Sequence, residues 1–154
     1  TRLDRLVRHT GPHEALNFLE HTALPALHSV SSELNERGLN SRVEQTDAQQ
    51  CALVIPQQGR RDFYYGVRLE SRPLPAFNPL AAAHSGDQNL RLYEAMTFFA
   101  DGRAGYDIQY LTRDEISADV LRHYERYLSL IQSDSTELLN SAPEHSTPPL
   151  PPTE

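Results

Sequence analysis

Residues 107–132, DIQYLTRDEISADVLRHYERYLSLIQ, decide the fold. Thr112 and Glu115 stand as a Thr-x-x-Glu capping box, in which the threonine oxygen accepts an N–H of the first turn and the glutamate reaches back. Beyond it Ile116, Val120, Leu121, Tyr124, Tyr127, Leu128 and Ile131 recur at helical spacing, an apolar stripe over roughly 20 residues or about 30 Å. Such a helix needs a partner surface. Asp114, Glu115 and Asp119 gather at its start, where acids offset the positive end of the helix dipole, so they read as capping and dipole groups rather than as acid/base catalysts. Arg122 follows Asp119 at the spacing of a solvated ion pair.

The segments before it supply the partner. Residues 13–37 have helical periodicity, with Leu16, Leu19, Ala23, Leu27, Val30 and Leu34 on one face and Gly38 as the stop. Pro25 lies inside this pattern, so a kink there, or a fresh start capped by Thr22, is expected. After Gly38 the period becomes that of strands. Residues 41–46 and 51–56 flank the polar TDAQQ as a hairpin. In 62–71 Phe63, Tyr65, Val67 and Leu69 alternate with more polar residues, residues 90–99 form a second long strand, and 106–111 form a short one. The fold class is therefore α+β: an antiparallel sheet of about five strands with an N-terminal and a C-terminal helix packed on one face.

Three stretches fall outside this body. Residues 1–12 form a short lead-in with Leu3, Leu6 and Val7 beside Arg2, Arg5 and Arg8, ended by Gly11-Pro12. Residues 72–89 are a proline-rich loop, long enough to cover a sheet edge or to act as a lid. Residues 134–154, with their closing PPLPPTE, hold too little apolar surface to offset ordering and are expected to be a disordered, acidic, proline-rich tail. The globular part is then 13–133.

Composition narrows the function. Fourteen basic residues, all arginine, stand against 21 acids for a formal charge of -7, which argues against a nucleic-acid binder. The longest apolar runs fall far short of the roughly 20 residues that a membrane span needs, and no secretory leader is expected in residues 1–11. Cys51 is the sole cysteine, so no internal disulfide can form, and it reads as a strand residue rather than a nucleophile. His9 and His13, and His21 and His28, lack the carboxylate or cysteine that would complete a metal site. Phosphate-loop, dinucleotide, hydrolase-elbow and zincin motifs are absent. No catalytic residue, cofactor or metal is implied, and the chain reads as a non-enzyme. The residues that could face anionic lipid or an acidic partner are Arg2, Arg5 and Arg8 of the lead-in and Arg60 and Arg61 at a turn.

A wider pattern then emerges. The L-x-x-x-x-x-P-A segment ending in LNERG, the D-F-x-Y strand, the Y-D-x-x-x-x-T-x-[DE]-x-[IV] junction and the D-V-L-x-x-Y-E-R-x-L helix together cover about Phe18 to Ile131. This pattern resembles the cytoplasmic C-terminal domain of the high-affinity choline transporters in the betaine/choline/carnitine family. The resemblance implies a regulatory domain on the cytoplasmic face of the bacterial inner membrane, adjusting choline transport under osmotic stress. It implies as partner the transmembrane part of the same transporter; anionic lipid headgroups and a homo-oligomer are further candidates. An alternative is a small-molecule binding or enzymatic domain that uses the 72–89 loop as a lid. The chain has no tryptophan, the ring that best holds a quaternary ammonium ion, so the choline site itself is not expected here.

Overall fold

A computed structural model describes residues 11–73 and 91–140. The first helical segment, α1 (Pro12–Phe18), places its proline in the first turn, where the missing N–H has no helical partner to lose. It runs through a π-helical segment, Leu19–Ala23, into α2 (Leu24–Glu36) without leaving helical dihedrals. This is the resolution of Pro25. Neither a fresh start nor a Thr22 cap occurs; the helix widens for one turn, with the Leu24 N–H reaching back to the Leu19 carbonyl, and so passes the proline. Gly38, at φ 87°, ends the helix, with the Leu39 N–H on the Leu34 carbonyl at 3.0 Å, a closure that favours glycine's left-handed backbone.

The strands are β1 (Arg42–Asp47), β2 (Gln50–Ile55), β3 (Phe63–Pro73) and β4 (Arg91–Phe99). They pair in sequence order as an antiparallel sheet. Cys51 faces Val67, Leu53 faces Tyr65 and Ile55 faces Phe63, while Tyr65 also faces Phe99. The expected hairpin loop at TDAQQ is tighter than the sequence suggested, because β1 and β2 extend into it and leave a turn at Ala48 and Gln49. The expected loop at 72–89 begins later, since β3 continues to Pro73; its remainder, 74–89, lies outside the described residues.

The α+β class stands, with four strands among the described residues where about five were expected. The difference lies at 106–111, reduced to a single bridge between Met96 and Asp107. Thr97 accounts for it: its hydroxyl accepts the Tyr106 N–H at 2.9 Å, and the Leu111 N–H turns back to the Ile108 carbonyl at 2.9 Å. The backbone groups are satisfied locally, and the chain bends toward the next helix instead of extending the ladder.

That helix, α3 (Arg113–Asn140), opens with the expected box: the Thr112 N–H donates to Glu115 at 2.8 Å and the Glu115 N–H to Thr112 Oγ1 at 3.3 Å. It runs seven residues past the boundary expected at 133. No proline or glycine occurs between Thr112 and Pro143, so nothing stops it earlier. The helices pack on one sheet face, where Leu27, Leu53, Tyr65, Ile108, Ile116 and Val120 have no exposed surface. Tyr124 and Tyr127 meet Phe63 edge-on at 5.1 and 5.6 Å, and beyond them the stripe leaves the sheet, with Leu128 38% exposed. Cys51 is a buried strand residue, its thiol pushed up to about 12 by burial.

Candidate functional site

The expected contact arginines are placed as follows. Arg2, Arg5 and Arg8 lie outside the described residues. Arg60 and Arg61 sit in the turn between β2 and β3, both exposed. The Arg60 guanidinium crosses to α3, donating to the Ile131 carbonyl at 3.3 Å and to Ser135 Oγ at 2.5 Å. Arg61 contributes its carbonyl, which accepts the Tyr127 hydroxyl. Both line a groove of roughly 500 Å³ with Tyr127, Leu130 and Ile131. The turn is thus anchored to the helix, with arginine and leucine side by side at the surface.

A second group of polar side chains runs from the core to the surface, with Tyr65 and Asp119 buried and Tyr106 and Arg122 exposed. Asp119, in the second turn of α3, is only 7% exposed. It has left the role expected for the acids at the helix start, where Glu115 alone of the three makes the cap bond. Its Oδ2 accepts the Tyr65 hydroxyl from β3 at 2.7 Å and the Tyr106 hydroxyl from the β4–α3 connection. Its Oδ1 accepts Arg122 at 3.0 Å. The Asp119–Arg122 pair expected in solvent is therefore one-sided, Arg122 being largely exposed and Asp119 buried.

His123, one turn on, completes the group. Its Nε2 lies 2.7 Å from the Tyr106 oxygen and its ring stacks on Phe99 at 4.5 Å. Arg103 lies over the same Phe99 ring at 4.8 Å. Donor and acceptor roles follow by counting. Tyr106 has one hydroxyl proton, used on Asp119, so His123 must donate Nε2–H to the Tyr106 oxygen. The other ring nitrogen, Nδ1, is buried without a hydrogen-bond partner. Burial lowers the His123 pKa, Asp119 opposes the shift, and Arg103, Arg122 and Arg126 add to it. Burial also raises the hydroxyl pKa of Tyr65 and Tyr106, and the hydrogen bonds to Asp119 act in the same direction.

This arrangement holds elements together. Both Asp119 oxygens accept from donors of this fold, Oδ2 from two tyrosines and Oδ1 from Arg122. Among the described residues no group of three or more histidine, cysteine or acidic side chains could hold a metal ion. The sequence carried one signal for the cluster: Asp119 and His123 border the Ile116, Val120 and Tyr124 stripe, and Tyr65 falls in the apolar alternation of β3, where a buried tyrosine needs a partner for its hydroxyl. Tyr106 carried no such signal, because its position depends on the turn after β4.

Comparison with known proteins finds similar sequences in transporters. An uncharacterized transporter of Haemophilus influenzae is 36% identical over 146 residues, 90% of this chain. The high-affinity choline transport protein of Escherichia coli is 27% identical over 94% of the chain. The osmo-dependent choline transporter BetT2 of Acinetobacter baylyi is 24% identical over 84% of it. All three are transporters, and the latter two are choline transporters by name. The likeness to choline transporters read from the sequence is thereby supported. This chain spans about a fifth of the length of these curated relatives, 21%, 21% and 19% respectively. No family model matches it. No helix among the described residues is long and apolar enough to cross a membrane.

Proposed function

We propose that this chain is the cytoplasmic regulatory domain of a choline transporter and that it adjusts transport in response to osmotic stress. The observation that carries the reading is the match of most of the chain to about a fifth of transporters that include an osmo-dependent choline transporter. In this reading the chain is one part of a membrane protein, and the described α+β fold supplies contact surfaces rather than catalysis. A regulator acts by touching its partner differently in two states. The proposed partner is the transmembrane part of the same transporter, on the cytoplasmic face of the bacterial inner membrane. The proposed contacts are Arg2, Arg5 and Arg8, together with the Arg60 and Arg61 turn and the Leu130 surface beside it.

The test is an exchange in the full-length transporter. Residues 13–154 are replaced by the corresponding segment of the osmo-dependent relative, and choline uptake is followed over a range of external osmolality. A regulatory domain carries its response with it, so the activation curve moves toward that of the donor. A curve that stays with the membrane part contradicts the reading.

A further inference from the structure

The bond between His123 and Tyr106 joins two parts of the chain that nothing in the sequence pattern links. Tyr106 belongs to the connection between β4 and α3, and His123 to α3. The connection is held to the sheet by few bonds: the Thr97 N–H to the Tyr106 carbonyl at 2.9 Å, the Ile108 N–H to the Ala95 carbonyl at 2.8 Å, the Tyr106 N–H to Thr97 Oγ1 at 2.9 Å and the Thr97 hydroxyl to the Tyr106 carbonyl at 3.2 Å. On the other side, the Tyr106 hydroxyl is its bond to Asp119 and His123.

We propose that His123 is a proton-operated latch: beside Asp119, its neutral ring fastens the Tyr106 connection to α3, and its protonation removes one of these two fastenings and loosens the connection. The neutral ring fits because Nε2–H has an acceptor and the buried Nδ1 carries only a lone pair. Protonation turns Nδ1 into a donor with nothing to receive its hydrogen, and a buried, unpaired charged donor is costly.

The surroundings mostly oppose the charge. On α3, Asp119 Oδ2 is 3.9 Å from Nε2 and favours it, but that oxygen already accepts two tyrosine hydroxyls. Arg122 and Arg126 on the same helix and Arg103 on the connection disfavour it. From β3, Tyr65 faces the ring edge-on at 5.7 Å. Its hydroxyl is held on Asp119 at 2.7 Å, and Nδ1 makes no hydrogen bond to it. The available relief is for the ring to swing out to water, which breaks the bond to Tyr106 and the stack on Phe99 together. The latch belongs to the chain itself and stands whether or not the chain regulates a transporter.

The experiment uses the whole chain labelled with nitrogen-15. Long-range proton–nitrogen spectra of the imidazoles identify the His123 tautomer and its titration, and hydrogen exchange gives the protection factors of the Thr97, Tyr106 and Ile108 amides across the same pH range. The latch predicts the Nε2–H tautomer at neutral pH, a titration midpoint below the ordinary imidazole value of about 6.5, and at least a tenfold loss of protection at the three amides with the His123 midpoint. His123→Gln, whose side-chain amide can still donate to Tyr106 but does not titrate, keeps protection flat across that range. Should that variant fail to fold, Tyr106→Phe decides: it removes the fastening, so the pH response disappears. An Nδ1–H tautomer, protection that ignores the His123 titration, or a pH response that persists in either variant overturns the proposal.

Discussion

Arg113 donates to the carbonyl of His21, from Nε at 3.2 Å and from Nη2 at 2.8 Å. That carbonyl lies four residues before Pro25, which has no N–H to give it. The first residue of the C-terminal helix therefore fills the gap that a proline opens in the N-terminal one. The two helices are joined at that point by a polar contact as well as by their apolar faces. Arg113→Ala should destabilise the chain by about 1 kcal/mol, the usual net value of such a bond near the surface. With Pro25→Ala the helix regains a donor, and the same arginine substitution should cost less than half as much. A double-mutant cycle in urea checks this; equal costs in both backgrounds would mean that the carbonyl does not depend on Arg113.

Asp119 should matter more than any other polar side chain in the core. Removing it leaves the Tyr65 hydroxyl, on a residue with no exposed surface, without an acceptor, and an orphaned buried hydroxyl carries most of its desolvation cost. Asp119→Ala should cost about 3 kcal/mol, whereas Tyr65→Phe, which leaves Asp119 with Tyr106 and Arg122, should cost about 1 kcal/mol. Denaturant titration of the two variants gives the order; equal losses would count against the shared carboxylate.

Gly66 and Phe98 form a cross-strand pair in which the ring lies where a side chain would be. A Cβ on Gly66 would sit 2.3 Å from the Phe98 ring, so Gly66→Ala should cost about 1–3 kcal/mol by overpacking. In a Phe98→Ala background the same change should cost much less. Thermal unfolding of the single and double variants measures the coupling, and additive losses would show that the ring does not set the requirement for glycine.

Stability should also depend on pH through His123. Burial, with Arg103, Arg122 and Arg126, lowers its pKa against the pull of Asp119, so the folded chain binds the proton less readily than the unfolded chain. The contribution is whole above the ordinary imidazole value of about 6.5 and is lost as pH falls from there through the lower folded pKa. Denaturant midpoints at pH 7.5 and 5 should fall further apart in the native chain than in His123→Gln. The same separation in both would assign the pH dependence to other groups.

The contrast between these features explains what the sequence could disclose. The capping box, the two helices and the long strands were legible because each depends on neighbours in sequence: Thr112 on Glu115, or Phe63 on Tyr65 and Val67. The π-helical passage of Pro25 was not, because its solution combines a local widening with a guanidinium from the other end of the chain. The strand expected at 106–111 became a bridge because the Thr97 hydroxyl took the Tyr106 N–H, a competition that strand periodicity does not register. From sequence Asp119 is one of the helix-start acids; the hydroxyls that claim it come from β3 and from the β4–α3 connection. Arg60 is legible as an exposed turn residue, but its reach to Ser135 depends on a helix that outruns its expected end.

The proposed regulatory role is tested by choline uptake by the full-length transporter, intact and with residues 13–154 removed, across a range of external osmolality. A regulatory role leaves the truncated protein able to reach the membrane and transport choline, but its uptake no longer follows osmolality as the intact protein's does. Two superimposable activation curves would contradict it.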